Sequence, residues 1–285
     1  MDFSFWRELI DESYKIRIVD IGAASDGDYS PSYQPLIDVG LASLIGFEPD
    51  KEACEVLNIK NQKNSVYYPY FVGDGEAATF YETNWVLTGS LYPPNTPLLE
   101  KFQNLSEVVT LKEEHPVQTH RLDDIAEING ADFLKMDIQG SELKVLENAT
   151  NLLETTLVLQ VEVEFVELYK GQPLFADVDS FLRSRGFQFH CFDGGLAGRT
   201  FKPLVVNDNM NKRINQVLWA DAFYVRDWMN LGVLSKEQLI TYAILSLDIL
   251  KSPDLTHLIL SQFDRSHNTN VAQKFFNILT ADKKK

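Results

Sequence analysis

The run ADFLKMDIQGSELKVLENA, residues 131–149, decides how this chain folds. Its apolar part, 132–137, reads as a short strand that closes on Asp137, and Gly140 then turns the chain into an amphipathic helix. In open α/β sheets ligands collect outside the carboxyl ends of the strands, so a carboxylate held there marks a candidate site. By the two-residue side-chain period, Asp137 shares a strand face with Lys135.

Outward from this unit, strand and helix signals alternate, which predicts a mostly parallel sheet covered on both faces. Strands are expected over 16–21, 42–47, 66–72, 132–137, 156–163, 187–192 and 222–225. Helices are expected over 32–39 and 50–59, the second opened by Pro49 and Asp50 through fixed φ and side-chain capping. Gly186 is expected to stop the helix that follows Pro173. Two stretches break the alternation. Residues 81–120, with TGSLYPPNTP and LKEEHPVQTH, read as a long loop insertion over the cleft, where Trp85 and Tyr92 either stack on a substrate or anchor the loop. From 231 onward the pattern is wholly helical, with a capping box at Ser235. The expected organisation is a domain over 1–230 and a small helical extension over 231–285.

Composition limits the function classes. The chain has 285 residues, 45% of them hydrophobic, enough for one large core. A net charge of -15 argues against nucleic acid, anionic membrane surfaces and highly phosphorylated substrates, which reward concentrated Lys and Arg. The two cysteines, Cys54 and Cys191, have neither disulfide-framework nor zinc-ligand spacing, so no zinc site is indicated and a reducing compartment is expected; a divalent cation held by the strand-end carboxylates stays open, with no fixed spacing to mark a metal site. The N-terminus lacks signal-peptide character and no long uncharged apolar run occurs, so a soluble, cytoplasmic protein is expected.

Three loops at strand ends carry candidate ligand contacts. In VDIGAASDG (19–27), Gly22 lets backbone approach a ligand, while Ala24 stands where a dinucleotide fingerprint needs its second glycine. In GFEPD (46–50), Glu48 is placed to accept hydrogen bonds from ribose hydroxyls. In VGD (72–74), Gly73 and Asp74 would line a base edge. Gln160, Glu162 and Glu164 share one face of VLQVEVEF, next to the Lys135 strand. Buried polar groups there need partners. Either Lys135 neutralises an acid in a structural network, or the acids handle an acceptor. Lys135 and Glu162 suit the first role, Asp137 and Glu164 the second. The five histidines read as ordinary polar residues, His120 excepted.

The run Leu134, Lys135, Asp137, Gly140, Glu142, Leu146 has the form L-K-x-D-x-x-G-x-E-x-x-x-L, and with VDIGAASDG, GFEPD, THRLDDI (119–125) and QVEVEFVELYKGQPLFADVDSFLRSRGF (160–187) it resembles the FkbM-like S-adenosylmethionine-dependent methyltransferases. Gly27 departs from the family pattern by coming one residue late. The resemblance implies a class I methyltransferase, Rossmann-like fold with seven strands, the last antiparallel. It implies S-adenosylmethionine held by Asp20, the Gly22–Ala23 backbone, Glu48, Gly73 and Asp74, with Asp137 and Glu164 as catalytic candidates. O-methylation of a sugar, glycan or specialised metabolite is the expected reaction. Two other classes stay open: a nicotinamide-dependent oxidoreductase, and a non-catalytic cofactor-binding or scaffold protein. A homo-oligomer formed through the helical tail is a further expectation.

Overall fold

The computed structural model describes residues 4–23, 30–60 and 64–281. Its strands are β1 (Ile16–Ile21), β2 (Ala42–Phe47), β3 (Ser65–Tyr68), β4 (Phe71–Val72), β5 (Ala77–Thr83), β6 (Leu111–His120), β7 (Phe133–Met136), β8 (Val158–Glu164), β9 (Phe187–Ala197) and β10 (Trp219–Arg226). Seven form one sheet in the order β3-β2-β1-β7-β8-β10-β9, parallel except for β10. This is the class I methyltransferase topology expected from the sequence. The order reverses between β1 and β7, because the chain builds outward on one side through β2 and β3 and on the other through β8. A crevice opens at such a switch point.

The helices are α1 (Ser4–Arg7), α2 (Gln34–Asp38), α3 (Lys51–Lys60), α4 (Thr96–Leu99), α5 (Glu142–Glu147), α6 (Thr150–Thr155), α7 (Phe175–Ser184), α8 (Lys236–Asp248), α9 (Pro253–His267) and α10 (Val271–Ala281). Local chemistry sets their ends. Asp50 Oδ1 accepts from the Ala53 N–H at 2.7 Å and so caps α3. Ser235 and Gln238 form the expected capping box of α8. Gly186 follows α7 with φ of 79°.

Strand alternation splits the core into two layers. Ile16, Ile18, Phe133, Val158, Phe223 and Val225 face one way and pack with Tyr242, Ile259 and Phe275 of α8–α10. Val19, Ile21, Leu134, Met136, Leu159 and Val161 face the other way and pack with α5–α7. The helices after residue 230 therefore form one layer of the main core, and the packing crosses the boundary that the sequence pattern suggests.

Two segments differ from expectation. Strand 66–72 is cut at Pro69, which has no N–H to give a ladder, so β3 stays in the large sheet while β4 pairs elsewhere. The 81–120 insertion is not simply a loop: β6 pairs with β4 and β5 in a second, three-stranded sheet. Most β6 side chains are exposed. Its covered positions are His115, Val117 and Thr119, of which one is apolar, so there is no apolar alternation to read.

Candidate active site

The second sheet stands over the carboxyl ends of β1, β2 and β7 and walls a cleft of about 770 Å³. Ile21, Gly22, Phe47, Glu48 and Asp137 supply the large-sheet side; Phe80, Glu82, Trp85 and His115 supply the opposite wall. The volume falls in the usual range for a cofactor or small-ligand site, roughly 300–1,000 Å³. Apolar residues such as Phe47, Val72 and Leu87 and polar ones such as Glu48, Asp50 and Asp137 line it together.

Gly22 has φ of 77°, and a Cβ there would lie 2.0 Å from the Asp137 carbonyl oxygen. Only glycine lets β1 and β7 close so tightly at the switch point. The Gly22 and Ala23 N–H groups both donate to the Phe47 carbonyl, at 3.0 and 3.1 Å. They are therefore occupied within the protein and differ from the backbone donors expected for the amino-acid end of a cofactor. Gly27 and the neighbouring residues 24–29 lie outside the described residues.

Asp20 is buried. Its carboxylate takes the Lys135 ammonium at 3.2 Å and the Tyr33 hydroxyl. Asp20 and Lys135 are direct register partners on adjacent strands, so the pair neutralises two charges that the sheet would otherwise bury alone. Lys135 thus takes the structural role anticipated for it, with Asp20 as the acid it serves. Gln160 continues the polar row, accepting from Ser32 Oγ at 3.2 Å. Glu48 lines the cleft, and its Oε1 accepts from the Asp50 N–H at 2.9 Å, which fixes the carboxylate at the rim.

Gly73 and Asp74 do not reach the cleft lining. A Cβ on Gly73 would strike Thr119 at 2.7 Å, and Asp74 Oδ1 accepts from the Glu76 N–H at 3.1 Å and from Thr119 Oγ1 at 3.2 Å. They form a turn that fastens β4 to β6. The neighbouring part of the cleft is lined instead by Phe47, Tyr70, Phe71 and Val72.

Asp137 does face the cleft. Its N–H donates to the Ile21 carbonyl at 3.1 Å, and its Oδ1 accepts from Gln139 Nε2 at 2.9 Å. The same Gln139 amide donates to Glu162 Oε2 at 2.8 Å, while the Tyr169 hydroxyl lies 2.9 Å from Gln139 Oε1 and 2.8 Å from the Thr88 carbonyl. Gln139, with φ of 56°, thereby joins Asp137 to β8 and to the insertion. Nothing in the sequence marks Gln139 or Tyr169, because an uncharged amide in a tight turn gives no periodic signal.

The acids behind Asp137 differ from it in environment. Burial, reinforced by the Asp137 charge, pushes Glu162 well above the usual carboxylate range; burial with Glu142 and Asp137 nearby does the same to Glu164. Glu142, which accepts from the Ile138 N–H at 2.8 Å, is pushed up to about 7 by burial, and Asp221 to about 6. Glu164 is buried and outside the lining, so the structure does not bring it to the cleft as expected.

On the insertion side, His115 Nε2 meets Glu82 Oε2 at 2.8 Å, with Lys112 Nζ 3.8 Å from Glu82 Oε1. Among the described residues, Glu82, Glu113 and His115 form the group with donor atoms close enough to share a cation, all within 4.8 Å. Trp85 lines the cleft, whereas Tyr92 is not among the lining residues and lies with Lys144 Nζ 5.8 Å from its ring centre. Of the two, Trp85 is the one on the cleft wall. Trp85→Ala is expected to raise the acceptor KM by roughly three- to tenfold, the loss of one aromatic contact. Cofactor affinity should stay at the parent value. Steady-state kinetics beside calorimetry check this, and an unchanged KM would remove Trp85 from the acceptor wall.

A family model, the methyltransferase FkbM domain, matches residues 20–189, more than half of the chain. No curated protein matches. Among solved structures, similar chains include a putative methyltransferase from Thermoplasma acidophilum (9% identity, TM-score 0.39, covering 75% of this chain and 69% of that one). Another is a TehB-like SAM-dependent methyltransferase from Corynebacterium glutamicum (9%, 0.33, 75% and 82%). A third is M. jannaschii TYW2 in complex with AdoMet (11%, 0.31, 79% and 76%).

Proposed function

The chain belongs to the methyltransferase FkbM domain family and is an S-adenosylmethionine-dependent methyltransferase, and from that premise we propose that it methylates a hydroxyl oxygen of a sugar, glycan or specialised metabolite. The observation that carries this reading is the placement of Glu48 and Asp137 on one cleft at the β1/β7 switch point, under a separate wall built by the insertion. S-adenosylmethionine, when bound, supplies the activated methyl group. The protein's task is alignment and proton removal.

Each residue has a role in that scheme. Glu48 accepts from the ribose hydroxyls, an ionised acid being an acceptor with two oxygens. Phe47, Tyr70, Phe71 and Val72 give the base an apolar wall. Asp137, held through Oδ1 by Gln139, takes the proton from the acceptor hydroxyl. Trp85 offers a ring face to a sugar or ring acceptor. Asp20 and Lys135 keep β1 and β7 in register beneath the cleft.

Glu48→Ala tests the cofactor half of this proposal. S-adenosylmethionine is expected to bind the parent with micromolar-scale affinity, about 8 kcal/mol. Losing hydrogen bonds to a charged group costs roughly 1.5–3 kcal/mol, so the variant should bind about ten- to a hundredfold more weakly. The fold should persist. Unaltered affinity by calorimetry would show that Glu48 does not hold the ribose. A screen of glycan and metabolite pools with labelled methyl donor tests the acceptor half.

A further inference from the structure

We propose that residues 196–216 form a docking finger for an anionic lipid surface. The finger leaves the end of β9 and returns into β10, and it is held together by its own hydrogen bonds. Arg213 Nε donates to the Leu196 carbonyl at 2.9 Å, Arg199 donates to the Asn211 carbonyl at 3.2 Å, and the Asn209 N–H closes the tip on the Val206 carbonyl at 2.9 Å. Asn207 and Asp208 turn the tip with φ of 49° and 55°. The finger is also fastened to the insertion. Phe201 stacks on Phe102 at 4.5 Å, Lys202 Nζ meets Glu107 at 2.7 Å, and Asn104 donates to Asn211 at 2.9 Å.

This ordered segment exposes Leu196, Phe201, Leu204, Val205, Met210 and Ile214, with Leu204 61% and Ile214 56% accessible. Large apolar side chains concentrated in one short segment mark a contact surface, since single exposed ones are ordinary and clusters are not. The charge of the segment identifies the partner. It carries Arg199, Lys202, Lys212 and Arg213 against the single acid Asp208, in a chain whose net charge is -15. Lys202 is spent on Glu107, and Arg199 stacks on Trp219 at 5.0 Å. Lys212 is exposed, and Arg213 bonds only carbonyl oxygens, which leave its charge uncompensated.

Apolar side chains beside two cations suit a bilayer interface, where chains enter the acyl boundary and cations meet lipid phosphates and carboxylates. The acidity of the whole chain does not oppose this. Charges more than about 8 Å from the membrane are largely screened at physiological salt, so the sign of the approaching finger decides the encounter. Among the described residues no helix is long and apolar enough to cross a membrane, and the contact proposed is a surface one.

Co-sedimentation of the full chain with phosphatidylcholine vesicles, with and without about one-third phosphatidylserine, tests the proposal. Binding is expected only with phosphatidylserine and should fall as salt is raised. Leu204→Glu with Ile214→Glu, and separately Lys212→Glu, should each weaken it by about tenfold or more. Melting temperature and S-adenosylmethionine affinity should not move, because these side chains lie outside the core and the cleft. Three results would overturn it: no binding to the anionic vesicles, both variants binding like the parent, or a parent dimer that Leu204→Glu with Ile214→Glu makes monomeric without any lipid binding, which would assign the face to a second copy.

Discussion

Asp137→Asn should lower turnover by about two to four orders of magnitude, the usual contribution of a positioned general base. The substitution keeps the shape. Asn retains the oxygen that accepts from Gln139 Nε2, and the backbone N–H bond to the Ile21 carbonyl is untouched, so β1 and β7 should close as before. Cofactor affinity is expected to change little, since Glu48 and the apolar base wall are separate side chains. The neighbouring acids cannot replace the lost base. Glu142, Glu162 and Glu164 all lie outside the cleft lining, and Glu142 has one oxygen on the Ile138 N–H. Single-turnover rates measured beside calorimetry separate the two effects. Unchanged turnover would take the base role from Asp137 and leave the His115–Glu82 pair on the opposite wall as the next group to test.

That contrast between Asp137 and Glu164 shows where sequence reading stops. Both sit at the ends of predicted strands, and period-two alternation places both on polar faces. What separates them is depth. Asp137 opens onto the cleft, whereas Glu164 runs antiparallel to Trp219 and is covered. Its neighbours include Trp219 of β10 and Gln172, whose positions no local pattern encodes. The strands of the main sheet were legible because they are buried and bounded by turns; β1 and β2 occupy the expected residues. β6 was not, because its covered positions, His115, Val117 and Thr119, are mostly polar and give no apolar alternation. The switch-point glycine was legible as a close approach, but sequence could not say that Gly22 meets the Asp137 carbonyl of the chain itself.

Truncation before Leu231 should abolish folding. A helical segment beyond the last strand invites reading as an appendage, yet α8 is buried without a break from Leu239 to Ser246. A helix buried all round belongs to a core, since a surface helix keeps a polar stripe. Tyr242 donates to the Arg226 carbonyl at 2.7 Å, and Trp6 Nε1 donates to Asp248 at 3.2 Å, so both ends of the remaining chain are tied to this layer. Removing α8–α10 would expose Ile16, Ile18, Phe133, Phe223 and Val225 together. At about 1.5–3 kcal/mol for each large apolar side chain, those five alone match the total stability of a typical domain, about 5–15 kcal/mol. Phe275→Ala offers a graded version. Phe275 is fully buried, with its ring 5.9 Å from Phe5, and truncating it should cost about 3–5 kcal/mol. Folded Phe275→Ala should still bind S-adenosylmethionine, because the cleft opens at the strand ends, beyond the apolar floor where α10 packs. Thermal melts decide the matter. A truncated chain that melts cooperatively near the parent temperature and binds cofactor would return α8–α10 to the status of an appendage.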